Sequence, residues 1–146
     1  MGHFSGVEQA QISGGGVYFL EGKYLVEVGK CHMLKSRKRE DLFIVECKII
    51  ESSNAQRTAG LRCSWVVKMS QDAALGNIKA FIAAANGIDP ADDATVNQEV
   101  TEEVCELAVS EMNPLKGTIM NLECVQITTR AGSPFTLHKW QPAAAA

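Results

Sequence analysis

Eight basic side chains and three aromatic ones are spaced through this sequence in a pattern that carries a definite chemistry. Lys23, Lys30, Lys35, Arg37, Lys38 and Arg39 fall around what reads as a first hairpin, and Arg62 and Lys68 fall on the polar row of a later strand. Tyr18, Tyr24 and Trp140 are available to stack on flat ligands, whereas Phe43 and Trp65 lie on apolar rows and read as core. A cationic groove that tracks phosphates, joined to rings on which bases stack, is what binding of a single nucleic-acid strand requires, and each stacked base contributes roughly 1–3 kcal/mol. A basic hairpin tip is also common on any soluble surface, which is the plain alternative to a binding face.

Other chemistries find little support. None of the histidines, His3, His32 and His138, has a carboxylate or cysteine at metal-ligand spacing. Ser64 precedes Trp65 in mid-strand, away from any G-x-S-x-G turn, which removes the usual setting of a nucleophilic serine. Gly14-Gly15-Gly16 has the composition of a phosphate loop, but no Gly-Lys-Ser/Thr and no helix follow. Asp89, Asp92 and Asp93 lack the glycine and closing glutamate of a calcium loop and read as solvated surface. The sequence thus predicts no enzyme active site, no metal and no cofactor.

A chain of 146 residues with 46% hydrophobic content can build one core without disulfides or a structural metal. Five cysteines, Cys31, Cys47, Cys63, Cys105 and Cys124, form no close pair, which argues against a disulfide framework and for a reducing compartment. The apolar stretches fall far short of the roughly 20 residues that cross a bilayer, and the N-terminus lacks the features of a secretory signal. A cytoplasmic protein that does not engage membranes is expected. Net charge is −3, yet the charges are segregated. Between Lys23 and Lys68, ten basic residues stand against six acidic ones once Glu21, just outside, is included; from Asp89 to Glu111 there are eight acids and no base. A local basic face governs attraction to phosphate whatever the overall sign.

The elements that must position these residues can be read from periodicity. Residues 1–16 end in Ser-Gly-Gly-Gly and read as a flexible arm. Tyr18 to Leu20, a turn at Glu21-Gly22 and the alternation from Tyr24 to Val28 predict a long, bent first strand, with Gly29 marking a bulge or a close backbone approach. A charged loop over Lys35 to Asp41 leads to a second strand, Leu42 to Glu51, with Phe43, Val45, Cys47 and Ile49 on one face. The third, Leu61 to Met69, turns Leu61, Cys63, Trp65, Val67 and Met69 inward. Helical spacing then takes over: Asp72 is the expected N-cap of an amphipathic helix whose stripe is Leu75, Ile78, Phe81, Ile82 and Ala85, stopping at Asn86-Gly87. Residues 88–114 form an acidic insertion in which a second helix is predicted from about Val100 to Glu111, with Val104, Leu107 and Ala108 spaced for burial. Strands Thr118 to Arg130 and Phe135 to Trp140 close the domain, which spans 17–142, before a low-complexity tail at 143–146. Five strands with a helix between the third and fourth follow the order of the OB-fold, a partly open Greek-key barrel. The expected fold is therefore mainly β with one or two helices: a five-stranded OB-like barrel with a helical insertion between strands 3 and 4.

The run Tyr18-Phe19-Leu20-Glu21-Gly22-Lys23-Tyr24, then Lys35-Ser36-Arg37, Phe43-Ile44-Val45-Glu46, Gly60, Ser64-Trp65, the Gly76-Asn77-Ile78-Lys79-Ala80-Phe81 helix, and the closing Pro134-Phe135-Thr136, Trp140 and Pro142 together resemble small bacteriophage OB-fold single-stranded DNA-binding proteins. The resemblance covers residues 17–142. It implies a replication or recombination accessory protein that coats single strands in the cytoplasm of an infected bacterium, alone or as a homo-oligomer. Many such proteins end in an acidic tail that recruits partners, whereas this chain ends in Gln-Pro-Ala-Ala-Ala-Ala, so recruitment of replication or recombination proteins would fall to the acidic insertion. A different class also fits a small β-barrel with a glycine-rich arm: a virion component, capsid-decorating or from the tail. A third reading is a protein-recruitment module built on the acidic helix.

Overall fold

A computed structural model describes residues 17–128, 130–132 and 134–143. The arm expected at 1–16, with His3, and the tail residues 144–146 lie outside the described residues. The chain runs β1 (Gly22–Lys35), β2 (Asp41–Ser52), β3 (Arg62–Lys68), α1 (Ala74–Ala85), α2 (Asp93–Glu99), α3 (Glu102–Ala108), β4 (Ile119–Thr128) and β5 (Pro134–Pro142). All five strands belong to one antiparallel sheet in the order β3-β2-β1-β4-β5. The long first strand is central because it is paired twice, to β2 along most of its length and to β4 from Gly22 to Glu27.

Alternation places the core. Val26, Val28 and Cys31 of β1, Phe43, Val45, Cys47 and Ile49 of β2, Cys63, Trp65 and Val67 of β3, and Met120, Leu122 and Cys124 of β4 are all buried, on the rows that period-2 reading assigns them. On β1 the inward parity changes between Val28 and Cys31, and Gly29 is the extra residue: Val28 pairs with Cys47 and Lys30 with Glu46, its next neighbour. This is a β-bulge, and a Cβ there would stand 3.2 Å from the Glu46 carbonyl oxygen, so a larger residue would have to push the β2 backbone back by a few tenths of an ångström. Both features expected of Gly29 are present. All five cysteines are free, and burial pushes the Cys31 and Cys124 thiols up to about 12.

Three helices, not one or two, connect β3 to β4. The additional one, α2, has only seven residues and a single buried side chain, Val96, so no apolar stripe announces it. It starts where Asp92 accepts a hydrogen bond from the Thr95 backbone N–H. Thr101 caps α3 in the same way through Val104, although α3 ends at Ala108, and Leu107 is exposed. The expected cap Asp72 does not serve α1; Ala73 holds that position without a side-chain bond, and Leu75 lies outside the buried stripe. At its other end α1 stops as predicted, since Gly87 takes φ 78° and the N–H groups of Gly87 and Ile88 return to the Ala84 and Ala83 carbonyls.

The edges of the sheet, β3 and β5, share no ladder, yet they lie close. Trp65 on β3 is 5.2 Å from Trp140 and 5.8 Å from His138, both on β5, measured between ring centroids. Phe81 of α1 packs across the seam, 4.8 Å from Trp140 and 5.5 Å from Trp65. Residues 17–19 run alongside β3 through a single parallel bridge, Tyr18 with Ser64, where the Ser64 N–H donates to the Val17 carbonyl. The first strand therefore begins at Gly22 and not at Tyr18.

Beyond Glu27, β1 has lost β4 as a partner, and one side chain substitutes for a strand. The Asn113 carbonyl oxygen accepts from the Cys31 N–H at 2.8 Å, and its amide nitrogen donates to the Cys31 carbonyl at 2.7 Å. Asn113 does this from a left-handed backbone, φ 43°, which asparagine tolerates. Replacing it with aspartate removes the donor and sets a carboxylate beside the Cys31 carbonyl. Asn113→Asp should lower unfolding free energy by about 1–3 kcal/mol, read as a lower urea midpoint at an unchanged m-value.

Candidate nucleic-acid interface

The outward rows of β1, β2 and β3 carry the charges. Reading across the strands, Glu27 is opposite Lys48 and Lys48 opposite Arg62; one step further, Lys30 is opposite Glu46 and Glu46 opposite Ser64. The bulge at Gly29 opens a groove of about 650 Å³ over these rows, and the Lys116-Gly117 turn forms its far wall. Lys30, Lys48, Arg62 and Lys116 line it against two carboxylates, Glu27 and Glu46. Lys30 and Lys116 also line an adjoining hollow of about 540 Å³ that reaches His32 and Asn113. His32 Nδ1 stands 3.5 Å from a Glu46 carboxylate oxygen, and burial lowers the imidazole pKa despite that neighbour.

A second concavity lies at the seam between the edge strands. It measures about 330 Å³ and is walled by Tyr18, Trp65, Val66, Lys68, Phe135 and His138, with Gln71 and Asn77 contributed from the start of the helical region. Tyr18 is 58% exposed and Phe135 40%, the two aromatic rings of the described residues that face solvent most openly. Tyr18 is fixed by Arg57, whose Nε donates to the Tyr18 carbonyl at 2.7 Å.

The sequence-predicted residues are distributed unevenly over these features. Lys30 and Arg62 meet in the groove, and Tyr18 and Lys68 meet in the seam cleft. Lys35, Arg37, Lys38 and Arg39 are exposed around the β1–β2 hairpin tip, where Lys35 pairs with Asp41 at 2.8 Å. Lys68 lies at that end of the sheet, opposite Leu42. Lys23 does not join them; its register partner is Glu123, and beyond that Lys139, on the other half of the sheet.

Two of the three expected stacking rings are corrected. Tyr24 is 3% exposed, packed edge-on to Phe19 at 5.1 Å, with its hydroxyl donating to the Leu20 carbonyl at 2.6 Å. Burial raises its pKa to about 12. Trp140 is also 3% exposed, held between Phe81 and Trp65, and its indole N–H has no acceptor among the described residues. Both share parity with buried neighbours, Tyr24 with Val26 and Trp140 with its partner Leu122. Lys48, Lys116 and Phe135 are the site residues that sequence reasoning missed. Lys48 is visible as an outward residue of the second strand, but nothing local to Lys116 signals that its turn folds back over β1.

Among the described residues, no three His, Cys, Asp or Glu side chains are placed to hold a metal ion, and no helix is long and apolar enough to cross a membrane. No protein-family model matches the chain, and no curated protein matches it.

His138 sits inside the seam against Phe19 and Trp65, and burial lowers its pKa from 6.5 to about 4. The unfolded chain therefore binds a proton that the folded chain refuses between those values, so stability rises with pH through that window. Acidification from pH 7 should cost up to about 3 kcal/mol by pH 4 through this residue. Comparing urea unfolding of the wild type and His138→Gln across the window should show the variant's stability falling less steeply with acid.

Proposed function

We propose that the chain is a non-catalytic single-stranded DNA-binding protein with an OB-like barrel, and that the strand crosses the outer face of β1, β2 and β3. The observation that carries this reading is the groove at Gly29, where Lys30, Lys48, Arg62 and Lys116 converge from four separate segments. Scattered surface lysines need no such gathering, whereas a polyanion does, because neutralising neighbouring phosphates and releasing their counterions drives its binding. The strand order supports it too. An open sheet in the order β3-β2-β1-β4-β5, with helices between β3 and β4 and with aromatic rings of its outer strands in contact, is compatible with an OB-like barrel, although no β3–β5 ladder closes it. Such barrels bind oligonucleotides on the face of their second and third strands and on the loop between the first and second. Here that loop is the basic tip holding Lys35, Arg37, Lys38 and Arg39. The bacteriophage setting and the role in replication or recombination, within the host cytoplasm, rest on the resemblance of residues 17–142 to phage proteins of this type.

Fluorescence anisotropy of a labelled oligothymidine, titrated across salt with duplex DNA as comparison, tests the proposal. Four phosphate contacts predict a slope of log affinity against log salt of roughly −3 for a single strand. Lys48→Glu and Arg62→Glu should each weaken binding and flatten the slope by about one unit, while Lys23→Glu, on the other half of the sheet, should leave the slope unchanged. Absence of binding at about 50 mM salt, or equal affinity for duplex, would overturn the reading.

A further inference from the structure

We propose that the seam cleft between β3 and β5 is a pocket for one nucleobase, so that the protein inserts a base out of the bound strand instead of only tracking its backbone. This deepens the strand-binding reading and rests on it.

The cleft's chemistry matches a planar ring with a polar edge and an attached anion. Its two most exposed rings, Tyr18 and Phe135, are contributed by separate segments, and Trp65 and His138 lie behind them with their rings 5.8 Å apart. Aromatic faces accept any base by stacking. Gln71 and Asn77 bring amide groups, each both donor and acceptor, and neither makes a side-chain hydrogen bond to another described residue. A third polar group is backbone. The Ser64 N–H points away from β2 to Val17, so alternation directs the N–H and C=O of Val66 to that same open edge, within the cleft lining. Unpaired edge groups beside free amides can pair with the hydrogen-bonding edge of a base, as pockets for extruded bases do. Lys68 supplies the cation for the phosphate of the inserted nucleotide. The volume, about 330 Å³, falls at the small end of ligand pockets.

Position adds a second argument. Lys30, Glu46, Ser64 and Tyr18 lie on one row across β1, β2, β3 and the 17–19 segment. Three strand spacings, about 14 Å in all, separate Lys30 of the groove from Tyr18 of the cleft, and the two linings come within one spacing where Glu46 faces Ser64. A strand whose phosphates occupy the groove and which runs across the sheet reaches the cleft mouth a short distance on.

The test compares oligothymidine with an abasic oligomer of equal length, following anisotropy and tryptophan fluorescence. Both tryptophans are buried, but Trp65 walls the cleft whereas Trp140 packs behind it at 5.2 Å, so a ring stacked in the cleft would act on Trp65 emission first. Wild-type protein should bind the base-containing strand more tightly, with quenching that the abasic strand does not produce. Tyr18→Ala and Phe135→Ala, both at exposed positions, should each cost about 5- to 150-fold in affinity for oligothymidine, with affinity for the abasic strand and the salt slope unchanged. Asn77→Ala should change the preference among homopolymers of different base. Equal binding of the two strands by wild type, or equal loss for both in the aromatic variants, overturns the base pocket and leaves strand binding standing. Failure to bind either strand overturns both. Thermal melts of each variant identify losses that come from unfolding, and Tyr18→Leu, which keeps bulk but removes the ring, then repeats the comparison.

Discussion

The rest of the structure depends on a seam closed by side chains in place of backbone. No ladder joins β3 to β5, the two outer strands of the sheet, and Trp65, Trp140 and Phe81 pack between them instead. Each ring buries a large apolar area, and their tilted and edge-on contacts add about 0.5–1.5 kcal/mol per pair beyond that area. Phe81 explains why a helix follows β3: without α1 the inward faces of the two edge strands would meet water. The indole N–H of Trp140, buried without an acceptor among the described residues, is the cost accepted for placing a large ring at that point.

Closing an edge with side chains leaves its backbone groups to be satisfied in other ways, and the molecule uses three. Residues 17–19 cover β3 at Ser64, Asn113 covers β1 at Cys31, and the 117–118 turn covers β1 at Val28 through the Gly117 and Thr118 backbone. The last two bring Lys116 over the β1 bulge, and the first brings Tyr18 to the seam. The cationic groove and the aromatic cleft are thus consequences of how an incompletely paired sheet protects its edges. Gly29 links the two requirements, because it is the extra residue at which β1 changes parity and it also lines the groove.

Much of this was legible in the sequence, for a physical reason. A strand half buried against a core must alternate, so the inward rows of β2 and β3 could be read directly, and a glycine inside such a row had to mark a bulge. Periodicity also located α1 and its glycine stop. It could not supply α2, whose seven residues bury only Val96, nor could it show that Asp72 lies one residue too early to cap α1. The site was less legible than the fold because it is built from register. Lys48 and Arg62 become neighbours only through the β2–β3 ladder, and Lys116 joins them only because Asn113 and Gly117 dock on β1. The misassigned rings show the opposite error. Tyr24 shared the parity of Val26 and Val28, and that simple signal outweighs the general tendency of tyrosine to sit at surfaces.

Net charge is a poor guide to what this surface attracts. The chain is −3 overall, but the acids between Asp89 and Glu111 belong to the helical region, whereas the groove holds four cations against Glu27 and Glu46. At physiological ionic strength exposed charges are screened over about 8 Å, so a phosphate in the groove responds chiefly to the side chains that line it. The two carboxylates temper the positive charge of that lining. Neither is within ion-pair distance of a groove cation, Glu46 facing His32 at 3.5 Å instead, so the four cations of the lining outnumber its carboxylates by two without being tied to them.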